Sequence, residues 1–133
     1  SGAPALFERL PIFWQFAERR PEFPRFYKAM TSLRKSSIAL RRGDVNWLEN
    51  SDENRVLTFT RRSGNEELII AINMTNAPFF GSVEASGNFE EITPNIGNPL
   101  PPDDEKAKPA AKANVALPAL SLDSFGFRIF RRK

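Results

Sequence analysis

The side chains best suited to chemistry in this chain are carboxylates, and they come in runs: Asp52-Glu53, Glu66-Glu67, Glu90-Glu91 and Asp103-Asp104-Glu105. A glycosidic bond is cut by two carboxyls roughly 5–9.5 Å apart in a cleft, one with its pKa raised by burial. All four runs fall in turns or at strand ends, where acidic residues are ordinarily solvated. Asp103 to Glu105 presents hard oxygen ligands of the kind calcium takes, but lacks the spaced D-x-D-x-D-G loop with its distant Glu. No catalytic residue, metal ligand or cofactor-binding residue is therefore assigned.

Absent residue types narrow the chemistry further. The 133 residues include no His and no Cys. That excludes a Ser-His-Asp or Cys-His triad, a thiolate nucleophile, a zinc finger and a structural disulfide. The basic residues Arg19, Arg20, Arg25, Lys28, Arg34, Lys35, Arg41 and Arg42 are interleaved with aromatics, a mixture that also occurs on nucleic-acid surfaces. Here the aromatics have helical core spacing, and no RNP, KH or helix-turn-helix pattern accompanies them, so no nucleic-acid partner is expected. The longest apolar run, Leu68 to Ile72, is too short to cross a bilayer, and no membrane partner is expected either. Asn73-Met74-Thr75 matches the glycosylation sequon but sits inside a strand pattern, so it reads as a chance match. Trp14 and Trp47 are potential platforms for a sugar ring. Large aromatics are mostly buried, so both are expected in the core.

Charge and aromatic content divide the chain near Gly43. Residues 1–42 carry nine Lys and Arg against Glu8, Glu18 and Glu22, whereas residues 43–133 carry ten against thirteen Asp and Glu. Phe7, Phe13, Trp14, Phe16, Phe23, Phe26 and Tyr27 crowd into the first 27 residues. Such a segment reads as a surface meant to be covered. Ser1 to Leu10 has neither the basic nor the apolar region of a secretory signal, and the start reads as a cut in a longer chain.

Positioning elements follow from periodicity. Phe23, Phe26, Tyr27, Met30 and Leu33 recur at helical spacing, with Pro21 and Pro24 suited to a first turn and Arg34 and Lys35 to a last one. A helix over about 22–35 is expected, followed by a short return to the core at Ile38 to Leu40. After Gly43 the period becomes two. Strands are expected over Asp44 to Glu49 (Val45 and Trp47 on one face), Arg55 to Arg61 (Leu57 and Phe59 against Thr58 and Thr60), Leu68 to Ile72, Phe79 to Ala85 and Asn88 to Thr93. Phe125, Phe127 and Ile129 then mark a closing strand with one buried face. Ser63-Gly64-Asn65 signals a hairpin. Pro94 to Asn114 has no period and is expected to be an exposed excursion. One helix followed by many short strands implies a mainly β fold, an antiparallel sandwich of two packed sheets.

The run Phe26-Tyr27-Lys28, Leu33-Arg34-Lys35 and Ala39-Leu40-Arg41-Arg42-Gly43-Asp44 resembles the last barrel helix, and its exit, in alpha-amylase-family glycoside hydrolases. Asn54 to Arg61, Leu68 to Asn76 with Asn73 near its end, and Leu120 to Phe130 resemble strands of that family's C-terminal domain. Phe13-Trp14 and Arg19-Arg20-Pro21 suit the stretch before the helix. The resemblance spans nearly the whole chain and implies that residues 1–42 are the terminal helical segment of a (β/α)8 catalytic barrel. Residues 43–133 are then an antiparallel Greek-key β-sandwich. It also implies where catalysis is not: the family's nucleophilic Asp, acid/base Glu and third Asp lie on earlier strands, and Glu8 and Glu18 do not occupy those positions. The implied role is a non-catalytic domain that stabilises the barrel of its own parent chain. Alpha-glucan contact and self-association through the N-terminal aromatic face are further expectations. An autonomous carbohydrate-binding module is the alternative.

Overall fold

The computed structural model describes residues 13–95 and 116–133. Three helices come first: α1 (Gln15–Arg19), α2 (Glu22–Ser36) and α3 (Ile38–Arg42). Seven strands follow: β1 (Asp44–Trp47), β2 (Val56–Ser63), β3 (Glu66–Asn73), β4 (Phe79–Ser82), β5 (Phe89–Glu91), β6 (Ala119–Leu122) and β7 (Phe127–Arg132). They form a five-stranded antiparallel sheet in the order β1-β2-β3-β7-β5 and a two-stranded sheet, β4-β6. The last strand returns beside β3, which gives the sandwich its Greek-key path.

The β2–β3 hairpin closes on Gly64-Asn65, with Ser63 opposite Glu66. Gly64 has φ +57°, which a residue without Cβ adopts cheaply at the first position of a tight hairpin loop. The β3 strand is central and covered on both faces, which is why its sequence is a continuous apolar run. On one face, Ile69 and Ala71 join Val56, Phe79, Val83, Leu120, Leu122 and Phe130 between the two sheets. On the other, Leu68 and Ile70 join Ala39 and Ile129 beneath the helices.

Several expectations are corrected. Ile38 to Leu40 does return to the core, Ala39 being fully buried, and it does so as a helix because Ser37 caps α3: its Oγ accepts from the Leu40 N–H at 3.1 Å. Alternation on β2 is present with the threonines as the buried set, Thr58 being 2% exposed and Leu57 37%. Thr58 Oγ1 donates to the Leu48 carbonyl at 2.7 Å and accepts from Asn50 Nδ2 at 3.0 Å, so its burial leaves no polar atom unmatched. Trp47 is exposed at 70%: it lies on edge strand β1, whose four residues are all exposed among the described residues. The β7 strand has two buried faces, since Ile129 faces the helices and Phe130 the second sheet. The β6 strand, which was read as part of the closing strand, is a separate element pairing with β4. All but the first two residues of the expected excursion lie outside the described residues.

Candidate interaction surface

Among the described residues, the carboxylate runs at 52–53, 66–67 and 90–91 do not converge on a site. Asp52 lies in a turn and pairs with Arg55 at 3.5 Å. Glu66 Oε2 accepts the Ala39 N–H at 2.9 Å, completing the N-terminus of α3. Glu67 pairs with Arg132 at 2.7 Å, Glu90 with Arg131 at 2.8 Å and Glu91 with Arg128 at 3.6 Å. The Arg132 hydrogen bond holds the Glu67 carboxyl below the usual range, and Arg131 does the same for Glu90. Glu67 and Glu90 are thus held as anions by arginines, which suits ion pairing and not proton donation. Asp103, Asp104 and Glu105 lie outside the described residues, as does Glu8. Among the described residues, no group of three or more His, Cys, Asp or Glu could hold a metal ion. No helix there is long and apolar enough to cross a membrane.

Asn73 is likewise committed to structure. It is 1% exposed, donates through Nδ2 to the Ala77 and Asp123 carbonyls at 2.7 and 3.0 Å, and accepts from Thr75 N–H and Oγ1 at 3.0 and 2.8 Å. An amide so placed locks two loops and is closed to a glycosylating enzyme.

The helices carry the surface that stands out. Neither α1 nor α2 has a single buried residue. Phe13, Trp14, Phe16, Phe23 and Tyr27 are each more than half exposed. Phe23 and Tyr27 therefore leave the inward stripe expected for α2, and Phe26, Met30 and Leu33 alone approach the core. Where α2 passes over the sheet it leaves a cavity of about 430 Å³, bounded by Phe26, Met30, Phe59, Ile72, Phe125 and Phe127 together with Arg34 and Arg61.

The two arginines share one anchor. Arg34 Nη1 and Arg61 Nη2 both donate to the Leu40 carbonyl, at 2.6 and 3.1 Å, and Arg61 Nε donates to the Ala39 carbonyl at 3.2 Å. They thereby satisfy C-terminal carbonyls of α3 and favour its negative end. This groove was not read from the sequence, although a signal existed. Arg61 continues the Leu57, Phe59 parity on β2, and Arg34 follows Met30 by four on α2, so each guanidinium occupies a position that an apolar period would fill. Gly43 is required where α3 meets β1, since a Cβ there would lie 2.4 Å from the Ala39 oxygen.

No family model matches the chain. Among curated proteins, a cyclomaltodextrinase of Geobacillus thermopakistaniensis (strain MAS1) is 38% identical over 65 residues, 49% of this chain and 11% of that protein. Among solved structures, isomaltulose synthase from Klebsiella sp. LX3 matches with a TM-score of 0.63 and 24% identity, covering 86% of this chain and 19% of that one. A trehalose-6-phosphate hydrolase of Bacillus licheniformis matches with a TM-score of 0.60 and 12% identity, covering 94% of this chain and 22% of that one. The chain thus spans about a fifth or less of the length of these proteins. At such identities the structural matches establish the fold.

Proposed function

We propose, from the resemblance of this chain to a small part of alpha-amylase-family glycoside hydrolases, that it is the non-catalytic C-terminal part of such an enzyme, acting on alpha-glucans. Residues 1–42 close the catalytic barrel, and residues 43–133 form the sandwich that stabilises it. The observation that carries this reading is the helical segment: α1 and α2 bury no residue, and they display Phe16, Phe23 and Tyr27 beside the exposed Phe13 and Trp14 that lead into α1. Helices in water draw most of their stability from packing an apolar face, and large exposed apolar patches mark interaction surfaces. Catalysis, in this reading, belongs to the barrel.

The test is the native size of the protein that carries this segment, read with an antibody raised against it. A species larger by roughly 250 residues or more supports attachment to a barrel. A species of this chain's own size overturns the reading. Exposed Trp14 and Trp47 favour a second reading, a carbohydrate-binding module whose rings stack on glucan. It predicts retention on starch that Trp47→Ala or Trp14→Ala reduces while the fold survives.

A further inference from the structure

We propose that the groove between α2 and the five-stranded sheet receives an apolar peptide segment bearing a carboxylate, supplied by the part of the parent enzyme outside this chain, and that the carboxylate seats on Arg34 and Arg61. This rests on the reading of the chain as one part of a larger enzyme.

The apolar half of the argument is the lining. Phe26, Phe59, Ile72 and Phe127 present hydrocarbon to a cavity large enough for several side chains. Its borders stay open: Phe125 is 66% exposed at the cavity, and Leu57 beside Ile72 is 37% exposed. The Phe26 ring meets Tyr27 edge-on at 5.6 Å, so the groove runs into the exposed aromatic face of the helices. An opening continuous with so wide an apolar surface suits a chain segment better than a small molecule.

The charged half is the pair of arginines. Two guanidiniums that share one carbonyl repel each other, and the half-buried Arg61 has given up part of its hydration to the hydrocarbon beside it, while Arg34 stays exposed at the cavity edge. Neither is in any ion pair among the described residues. A guanidinium has five N–H donors; the hydrogen bonds found use one on Arg34 and two on Arg61. Among the described residues, Glu66 and Glu67 on the neighbouring strand β3 are engaged elsewhere, Glu66 on Ala39 and Glu67 on Arg132. A carboxylate brought in with the occupant meets the remaining donors in the fork geometry that arginine favours.

The experiment labels thiols in the full parent protein. This chain has no cysteine, so a single introduced thiol is assignable to its own peptide by mass spectrometry. Phe125→Cys reports the groove, Trp14→Cys the aromatic face, and Asn65→Cys in the hairpin loop the fully open rate. Phe125→Cys is expected to react at least tenfold more slowly than Asn65→Cys. Adding Arg34→Gln and Arg61→Gln is expected to raise that rate fivefold or more, while the paired lysine substitutions restore slow labelling. High salt should mimic the glutamine variants. Should Phe125→Cys not fold, Leu57→Cys at the groove border replaces it.

Slow labelling at Trp14→Cys with open-rate labelling at Phe125→Cys overturns the groove occupant and leaves the enzyme-domain reading standing. Open rates at both positions overturn the two together. Protection that ignores the glutamine variants and salt overturns the carboxylate, and protection that disappears on dilution assigns the groove to a second copy.

Discussion

Ile69 and Ile70 are neighbours on β3, 1% and 7% exposed, yet they enter different surroundings. Ile69 meets Phe130, Phe79, Val83 and Leu122, all between 1% and 3% exposed, in a layer closed by the second sheet. Ile70 meets Met30, Phe59 and Phe127, which are only half-buried, beside a cavity. One face of the sheet is complete within the chain. The other has a helix over it with no buried residue of its own. The contrast indicates which contacts make this domain fold and which are reserved for something else. Phe130→Ala sharpens it most: on the closed side it should cost about 3–5 kcal/mol. Phe127→Ala, three residues earlier on the same strand but facing the cavity, should cost about 1–2 kcal/mol. Urea unfolding of both variants measures the difference, and equal losses would erase the distinction between the faces.

Polar anchoring differs between the faces as well. Asn73 is fixed inside the closed end by four hydrogen bonds, and Asn73→Ala leaves the Ala77 and Asp123 carbonyls without that donor. A loss of about 2–3 kcal/mol is expected. Asn73→Asp, which keeps the acceptor toward Thr75 but not the donors, should recover little of it. On the helical side the joint is steric. A Cβ at Gly43 meets two backbone oxygens, Ala39 at 2.4 Å and Arg62 at 2.9 Å, so Gly43→Ala must push α3 away from β2 at about 1–3 kcal/mol. Because α3 carries the Leu40 carbonyl that anchors Arg34 and Arg61, the same variant should perturb the groove before it unfolds the sheets. Hydrogen exchange in α3 and at the Leu68 amide separates the two effects.

What could be read in the sequence tracks the locality of the signal. The 3.6-residue period gave α2 nearly to its ends, and Gly64 with the apolar run after it gave the hairpin, because both depend on residues close in the chain. The α3 helix was missed although Ser37 and Gly43 bracket it; five residues are too few to show a period. The alternation on β2 was legible but not which set lies deepest, because a threonine at a buried position is acceptable only when a distant carbonyl, here Leu48, takes its proton. The groove was invisible for the same reason. Its arginines are ordinary in sequence and become unusual only when α2 and β2 bring them to one carbonyl oxygen.

The smallest effect concerns the far end of the sheet, where arginines do have carboxylate partners. Arg132 Nε donates to Glu67 Oε2 at 2.7 Å, Arg132 Nη1 donates to the Ser86 carbonyl at 3.1 Å, and the guanidinium lies 4.7 Å from the centre of the Phe89 ring. The Glu67 carboxyl is thereby held below the ordinary carboxylate range. A depressed folded-state pKa means that the pair stabilises the protein above the carboxyl's unfolded-state value and loses that contribution as pH falls through the folded-state one. With the side chains 18% and 37% exposed, the pair's contribution is about 0.5–1 kcal/mol. Glu67→Gln should lower stability by that amount at neutral pH, and the variant and the parent sequence should converge below the folded-state pKa of Glu67. High salt should narrow the gap at neutral pH. Arg34 is in no ion pair among the described residues, so the effect of Arg34→Gln on the isolated domain should not follow a carboxylate titration. An acid limb shared by Arg34→Gln and Glu67→Gln would mean that both ends of the sheet are internally paired, and the difference between its two faces would then be one of packing alone.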